Sequence, residues 1–166
     1  MIRLATHSDI DAIMNITLAC AKKMIANGIF QWNEHYPTKA PFVNDVDRNE
    51  LYVYESDTEI AACIVISTFM DEVYKPVKWL TQNENNIYIH RLAVHPNHQG
   101  KGIAQHLMTY AEHHASKHGF KSVRLDTFSQ NPRNLKFYEL RGYERLEDIY
   151  FPKQSQHPFY CFELVL

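Results

Sequence analysis

Cysteine is scarce in this chain, and what there is cannot form a framework. Cys20, Cys63 and Cys161 are odd in number, far apart in sequence and set among apolar neighbours, which argues against a disulfide scaffold or a paired zinc site and predicts buried thiols. Long apolar runs are missing too. No uninterrupted stretch could span a bilayer, and the opening MIRLATHSDI lacks the basic segment and apolar run of a secretory leader. The expectation is a soluble, cytoplasmic protein with no membrane partner. Charge of either sign is not in excess: a net charge of -2 offers no broad attraction to nucleic acid. Glycine is rare as well, five in 166 residues, and two of the five stand together as Gly100 and Gly102.

What is present is globular. Apolar residues make up 45% and charged residues 22% of 166 residues, enough for one domain, 1–166, with a substantial core and no need of metal or disulfide. The ten histidines do not form a metal motif. His114 and His118 have helical i, i+4 spacing without a zincin glutamate, and His95 and His98 fall in a turn, so they read as solvated and no metal is expected.

The stretch HPNHQGKGIAQHLM, residues 95–108, organises the rest. It follows an apolar run and opens an amphipathic helical pattern. Pro96 stops strand pairing, and Gly100 and Gly102 let the backbone approach a ligand. Such a loop points unpaired N–H groups and the positive end of a helix dipole at its guest, most often an anion such as phosphate. It lacks the Lys-Ser/Thr and spacer of a nucleotide-hydrolase phosphate loop. Gln105 stands where a dinucleotide fingerprint needs its third small residue.

In chain order, 2–4 read as a strand, Thr6 to Asp9 as a cap, and Ile10, Ile13, Met14, Thr17 and Leu18 as the apolar face of a helix ended by Gly28. Phe30, Trp32 and Tyr36 sit in an aperiodic segment, a structured loop or short helix. A helical turn is expected at 44–50, then two strands joined at Ser56-Asp57-Thr58. Residues 69–85 form a long connection of the kind that is functional or mobile. The next strand, 87–94, would place Tyr88, His90, Leu92 and Val94 on one face and Ile87, Ile89, Arg91 and Ala93 on the other. After the loop, Ala104, Leu107, Met108, Ala111 and Ala115 mark a helix ending at Gly119; Val123, Leu125 and Thr127 mark a strand. Asn131-Pro132 caps a short helix ended by Gly142, and 143–150 and 159–166 are closing strands. The fold class expected is α/β, or mixed α+β: one sheet of six or seven strands with helices on both faces. FYCFELVL is apolar enough to pair or pack across a two-fold axis, which would give a homodimer.

Two motifs carry a family resemblance. Gln99 to Ala104 reads Q-x-x-G-x-A after Leu92-Ala93-Val94, and Asn131, Phe137-Tyr138 and Gly142-Tyr143 follow in N-x-x-x-x-x-F-Y-x-x-x-G-[FY] order. Together with the opening IRLATHSDIDAI, this resembles the GNAT superfamily of acyl-CoA N-acyltransferases over nearly the whole chain. The resemblance implies a splayed sheet with the pantetheine arm of acetyl-CoA between the fourth and fifth strands, bonded by backbone groups of Leu92 and Val94. It implies that the N–H groups of Gln99, Gly100, Lys101, Gly102, Ile103 and Ala104 hold the pyrophosphate, with Lys101 adding charge or simply solvated. Asn131 would bond the pantetheine chain, and Tyr138 would face the thioester sulfur.

The implied reaction is direct attack of a primary amine, on a small molecule or peptide, upon the thioester of acetyl-CoA. It needs a neutral amine, a stabilised oxyanion and a protonated thiolate. Tyr138, a phenol protonated at neutral pH, suits the acid. Phe137 reads as its core neighbour. His90 is the best base available in the pattern, with Tyr88 as a second relay member; the alternative is that His90 merely fills a strand position. Trp32, Tyr36 and 69–85 could wall the acceptor pocket or anchor loops, and Glu34, Asp71, Glu72 and Glu84 could attract a cation or be solvated. Two rivals remain: a non-catalytic acyl-CoA sensor on the same fold, and a phosphate-binding enzyme of unrelated fold.

Overall fold

The computed structural model of the protein describes residues 1–57 and 59–166. Along the described residues run β1 Ile2–Leu4, α1 Ile10–Ala26, α2 Lys39–Asp47, β2 Leu51–Ser56, β3 Glu59–Ser67, β4 Asn86–Val94, α3 Ile103–Lys117, β5 Ser122–Phe128, α4 Pro132–Leu140, β6 Glu144–Ile149 and β7 Phe159–Val165. The strands form one mixed sheet of seven in the order β1-β2-β3-β4-β5-β7-β6, the α/β class expected. β4 and β5 are parallel, while β7 is antiparallel to β5 and to β6. The parallel ladder covers only 86–88 against 122–124, three positions of strands nine and seven residues long, which is the short pairing of a splayed sheet. Ser56 pairs opposite Glu59; Thr58 of the expected turn lies outside the described residues. No helix among the described residues is long and apolar enough to cross a membrane.

The chain packs as two compact units, Met1–Ile66 with His90–Ala111, and Ser67–Ile89 with Glu112–Leu166. In the first, α1 buries Ile10, Ile13, Ile16, Thr17, Cys20 and Ala21 at the three- and four-residue spacing of one helix face. Leu18, assigned to that face from the pattern, is exposed, because the buried stripe runs through Ile16 and Cys20 instead. The α2 helix begins at Lys39, earlier than the turn expected at 44–50. Pro41 falls in its first turn, where an N–H has no helical acceptor to lose. Strand alternation in β2 then sorts the layers. Leu51 and Val53 join Ile13, Ile16, Cys20, Trp32 and Phe42 in one core. Tyr52 and Tyr54 point the other way, their rings 5.3 Å from Tyr110 and 6.3 Å from His106 of α3. Trp32 is therefore a loop anchor, with Tyr36 packed against the same core.

In β4 the expected alternation does not run through. Arg91 has φ +47, a left-handed residue inside the strand that interrupts the regular alternation, so Leu92 and Val94 cannot be placed on the face of His90 by counting. Arg91 instead pairs with Asp45 of α2 and lies over the Phe42 ring at 5.4 Å.

In the second unit the faces of β5 divide cleanly. Leu125 sits opposite Phe162 in the ladder, and this face is covered by α4, with Tyr138 5.8 Å from Tyr143 and 6.0 Å from Phe162 and Asn134 reaching Thr127. Arg124 sits opposite Glu163 on the other face, covered by the 69–85 connection, where both are buried. Arg124 donates from Nε to Glu163 at 3.0 Å, from Nη1 to Asn83 at 2.8 Å and from Nη2 to the Thr81 carbonyl at 2.7 Å, and stacks over Trp79 at 4.5 Å. Glu163 also accepts from the Leu80 N–H and the Thr81 hydroxyl. The connection is thus fastened to the sheet by these bonds. Both ladders of β7 are taken, and Phe159, Cys161 and Phe162 are buried, so edge pairing across a two-fold axis is not open to that strand.

Removing one partner of a buried ion pair leaves an uncompensated charge, costing about 3 to 5 kcal/mol. Arg124→Met should therefore lower the urea midpoint by an amount of that order. The double variant Arg124→Met/Glu163→Leu should recover much of the loss, because both charges are then gone.

Candidate functional site

After Val94 the chain makes a 3-10 turn, Pro96–His98, and reaches the loop that leads into α3. Gly100 and Gly102 adopt φ +77 and +79, and a Cβ on either would meet nothing within 4 Å, so the backbone there is open to a ligand. The N–H groups of residues 100–104 make no hydrogen bond to another described residue. They lead into the N-terminus of a fifteen-residue helix, and His95 to Ala104 includes no carboxylate. Donor set, dipole and charge all fit a phosphate group. Lys101 is exposed.

Gln99 departs from its expected part. Its N–H donates to the Pro96 carbonyl at 3.3 Å, so the free donors begin at Gly100. Its side chain is a bracket: Nε2 donates to the Val94 carbonyl at 3.0 Å, and Oε1 accepts from Lys23 of α1 at 2.7 Å. The same Val94 carbonyl accepts from the Cys20 thiol at 3.2 Å. Leu92 is half-buried two residues earlier. Burial pushes the Cys20 thiol up to about 11 and the Cys63 thiol up to about 12, which makes both poor nucleophiles.

His90 is half-buried, and loss of solvation, aided by the charge of Arg91, pulls its pKa down to about 3. The sequence expectation rested on the ordinary value near 6.5. A neutral imidazole can still orient a partner, but it holds a proton badly: taking one from an α-ammonium of pKa about 7.8 would be uphill by roughly 6 to 7 kcal/mol.

Asn131 and Tyr138 belong to the second unit. Asn131 is buried and caps α4, its side-chain carbonyl accepting from the Asn134 N–H at 3.3 Å. Tyr138 is buried, whereas Phe137, expected as the core member of the pair, is only half-buried. The Tyr138 ring packs on Phe137, Tyr143 and Phe162, and its phenol makes no hydrogen bond to a described residue. Burial, then the nearby Asp126 carboxylate, holds its pKa far above the usual phenol value, so it stays protonated.

Sequence reasoning missed Asp126. This half-buried carboxyl on β5 accepts a 2.5 Å hydrogen bond from Tyr74, which is fully buried in the 69–85 connection. A signal was present: Arg124 and Asp126 are charges in a strand whose alternate residues Val123 and Leu125 are apolar, and a strand covered on both faces has no solvated side for them.

Sheet order, short parallel ladder and glycine loop together define an acetyltransferase-type α/β fold. The Acetyltransferase (GNAT) family model matches residues 11–143, and the chain belongs to that family. It is 25% identical over 147 residues to the uncharacterized N-acetyltransferase YesJ of Bacillus subtilis (strain 168), covering 84% of this chain and 79% of that one. A GNAT family acetyltransferase from Streptococcus agalactiae 2603 superposes with a TM-score of 0.82 at 25% identity, covering 100% of this chain and 95% of that one. PaiA N-acetyltransferase from Thermoplasma acidophilum, solved in complex with coenzyme A, shares the fold with a TM-score of 0.72 at 18% identity, covering 100% and 98%.

The His90 shift has a pH consequence. Above about 6.5 the imidazole is neutral in both folded and unfolded chains. As pH falls from 6.5 toward 3 the unfolded chain takes up its proton first, so stability is lost across that window. Urea midpoints of the wild type should fall more steeply there than those of His90→Gln. Asp126, raised to about 6, contributes in the opposite sense in both proteins and cancels in the comparison.

Proposed function

We propose that residues 1–166 act as a single N-acetyltransferase domain, moving the acetyl group of acetyl-CoA to a primary amine of a small molecule or peptide by direct attack in a ternary complex. The observation that carries this reading is the loop: a row of unengaged N–H groups from Gly100 to Ala104, two of them on left-handed glycines, ahead of α3 in a chain of the GNAT family. Acetyl-CoA supplies an activated acetyl thioester. Gly100, Lys101, Gly102, Ile103 and Ala104 would hold its pyrophosphate, and the backbones of Leu92 and Val94 its pantetheine arm. Gln99 would act through the bracket its side chain makes, and Asn131 would position α4 while contacting the arm.

Tyr138 would give its proton to the departing sulfur. A phenol kept protonated by burial is suited to that, since the developing thiolate is the only stage at which its proton is wanted. His90, neutral at any working pH, would accept a hydrogen bond from the amine and orient it, without holding a proton.

Two variants test these parts separately. A β-branched residue at φ +79 costs about 1 to 2 kcal/mol or more and would block the approach to the loop. Gly102→Val should therefore stay folded and lose the stabilisation of roughly 2.7 kcal/mol expected from CoA at a hundred times its Kd, with ATP as the control ligand. An undiminished CoA shift in that variant would overturn the loop assignment. Tyr138→Phe keeps the ring packing and deletes one hydroxyl, so kcat should fall by about 10² to 10⁴ with CoA affinity little changed. Lost affinity with kcat preserved would make Tyr138 a structural contact.

A further inference from the structure

A base remains to be found, and the second unit contains a carboxyl in an unusual state. Asp126 has no cationic partner among the described residues, although Arg124, two positions along the same strand, is fully engaged by Glu163. The groups that face it are the Tyr74 phenol and Asp71 from the 69–85 connection, Cys161 opposite it in β7, and Tyr138 of α4, close enough for the Asp126 charge to be felt. None is positive. A half-buried carboxylate without a counter-ion is costly, and an incoming ammonium would supply the missing charge.

The two faces of β5 add direction. Asp126 shares the face of Arg124 with the connection, whereas α4 and Tyr138 cover the face of Leu125 and Thr127. The amine adds to the thioester carbonyl and the thiolate leaves by another bond of the tetrahedral intermediate, so the reaction needs a proton acceptor at nitrogen and a separate proton donor at sulfur, and Asp126 and Tyr138 are two separate groups of those kinds.

We propose that Asp126, held by the Tyr74 phenol, is the base that takes the proton from the acceptor amine; this rests on the acetyl-transfer reading above. Asp126 removes one proton from the ammonium and releases it to solvent. The freed lone pair forms the C–N bond; the C–S bond breaks with its electron pair on sulfur, which takes the Tyr138 proton. The second nitrogen proton, lost as the amide forms, restores the phenol, so one proton is released per turnover. Burial raises Asp126 to about 6, with Tyr74 pulling the other way by donating to the carboxylate, which keeps the group ionised near neutrality yet more basic than an ordinary aspartate. Tyr74 is a positioning residue.

The test uses the full chain with acetyl-CoA and four acceptors: an α-amino peptide, a lysine peptide with blocked α-amine, an alkylamine and an arylamine. Asp126→Asn should lower kcat/KM by about 10² to 10⁴ and remove an acid limb near pH 6, with the CoA thermal shift intact. Tyr74→Phe should move that limb to higher pH, because the carboxylate loses a donor. A purely structural role for the pair predicts lower melting temperatures with the limb in place, and that result overturns the proposal. If Asp126→Asn keeps its rate while Tyr138→Phe loses it, Asp126 is not the base and acetyl transfer stands. If the wild type neither binds nor turns over acetyl-CoA, the functional reading fails and this inference with it.

Discussion

A guanidinium with no exposed surface must have its donors bonded, and Arg124 meets that requirement by drawing in a segment whose regular structure is a three-residue 3-10 turn, Glu72–Tyr74. Its partners include the Thr81 and Gln82 carbonyls, the Asn83 side chain and Glu163, and Glu163 in turn fastens Leu80 and Thr81. An apolar residue at 124 would leave the 69–85 connection without that anchor. The desolvation of one charge thus fastens residues 79–83 of the connection, and Trp79, stacked under Arg124, in turn donates its indole N–H to the Tyr74 carbonyl at 2.9 Å.

Glycine placement follows a similar economy. All five glycines have positive φ. Gly28, Gly119 and Gly142 follow α1, α3 and α4, each in the paired hydrogen-bond pattern that closes a helix with a left-handed residue. The remaining two form the loop before α3. No glycine is spent where an L residue would serve as well, since each of the five holds a left-handed backbone.

Much of the fold was legible because hydrophobic period and end signals agreed: Ile10 to Ala26, Leu107 to Ala115 and Pro132 to Gly142 each combine an apolar stripe with a cap or stop. What was not legible depends on backbone states that side-chain type does not report. Arg91 shows no sign in the sequence of its left-handed conformation, yet it breaks the parity from which the faces of β4 were counted. The glycine loop could be read because conformation there requires a particular residue. The protonation behaviour of His90 and Asp126 could not, because burial shifts both away from their ordinary values and their environments come from chain segments remote in sequence.

Burial sorts the acid–base groups by the sign of the charge each would carry. The same loss of solvation pulls His90 down, because its charged form is the protonated one, and pushes Asp126 and Tyr138 up, because theirs is the deprotonated one. A histidine in such surroundings becomes too weak to hold a proton and a tyrosine too weak an acid to lose one unaided, while an aspartate moves toward neutrality from below. Of the three, only the carboxylate is driven into the range where a group can both accept a proton from an amine and release it to water. An interior of this kind converts an aspartate into what an exposed histidine would otherwise be, and keeps the phenol protonated.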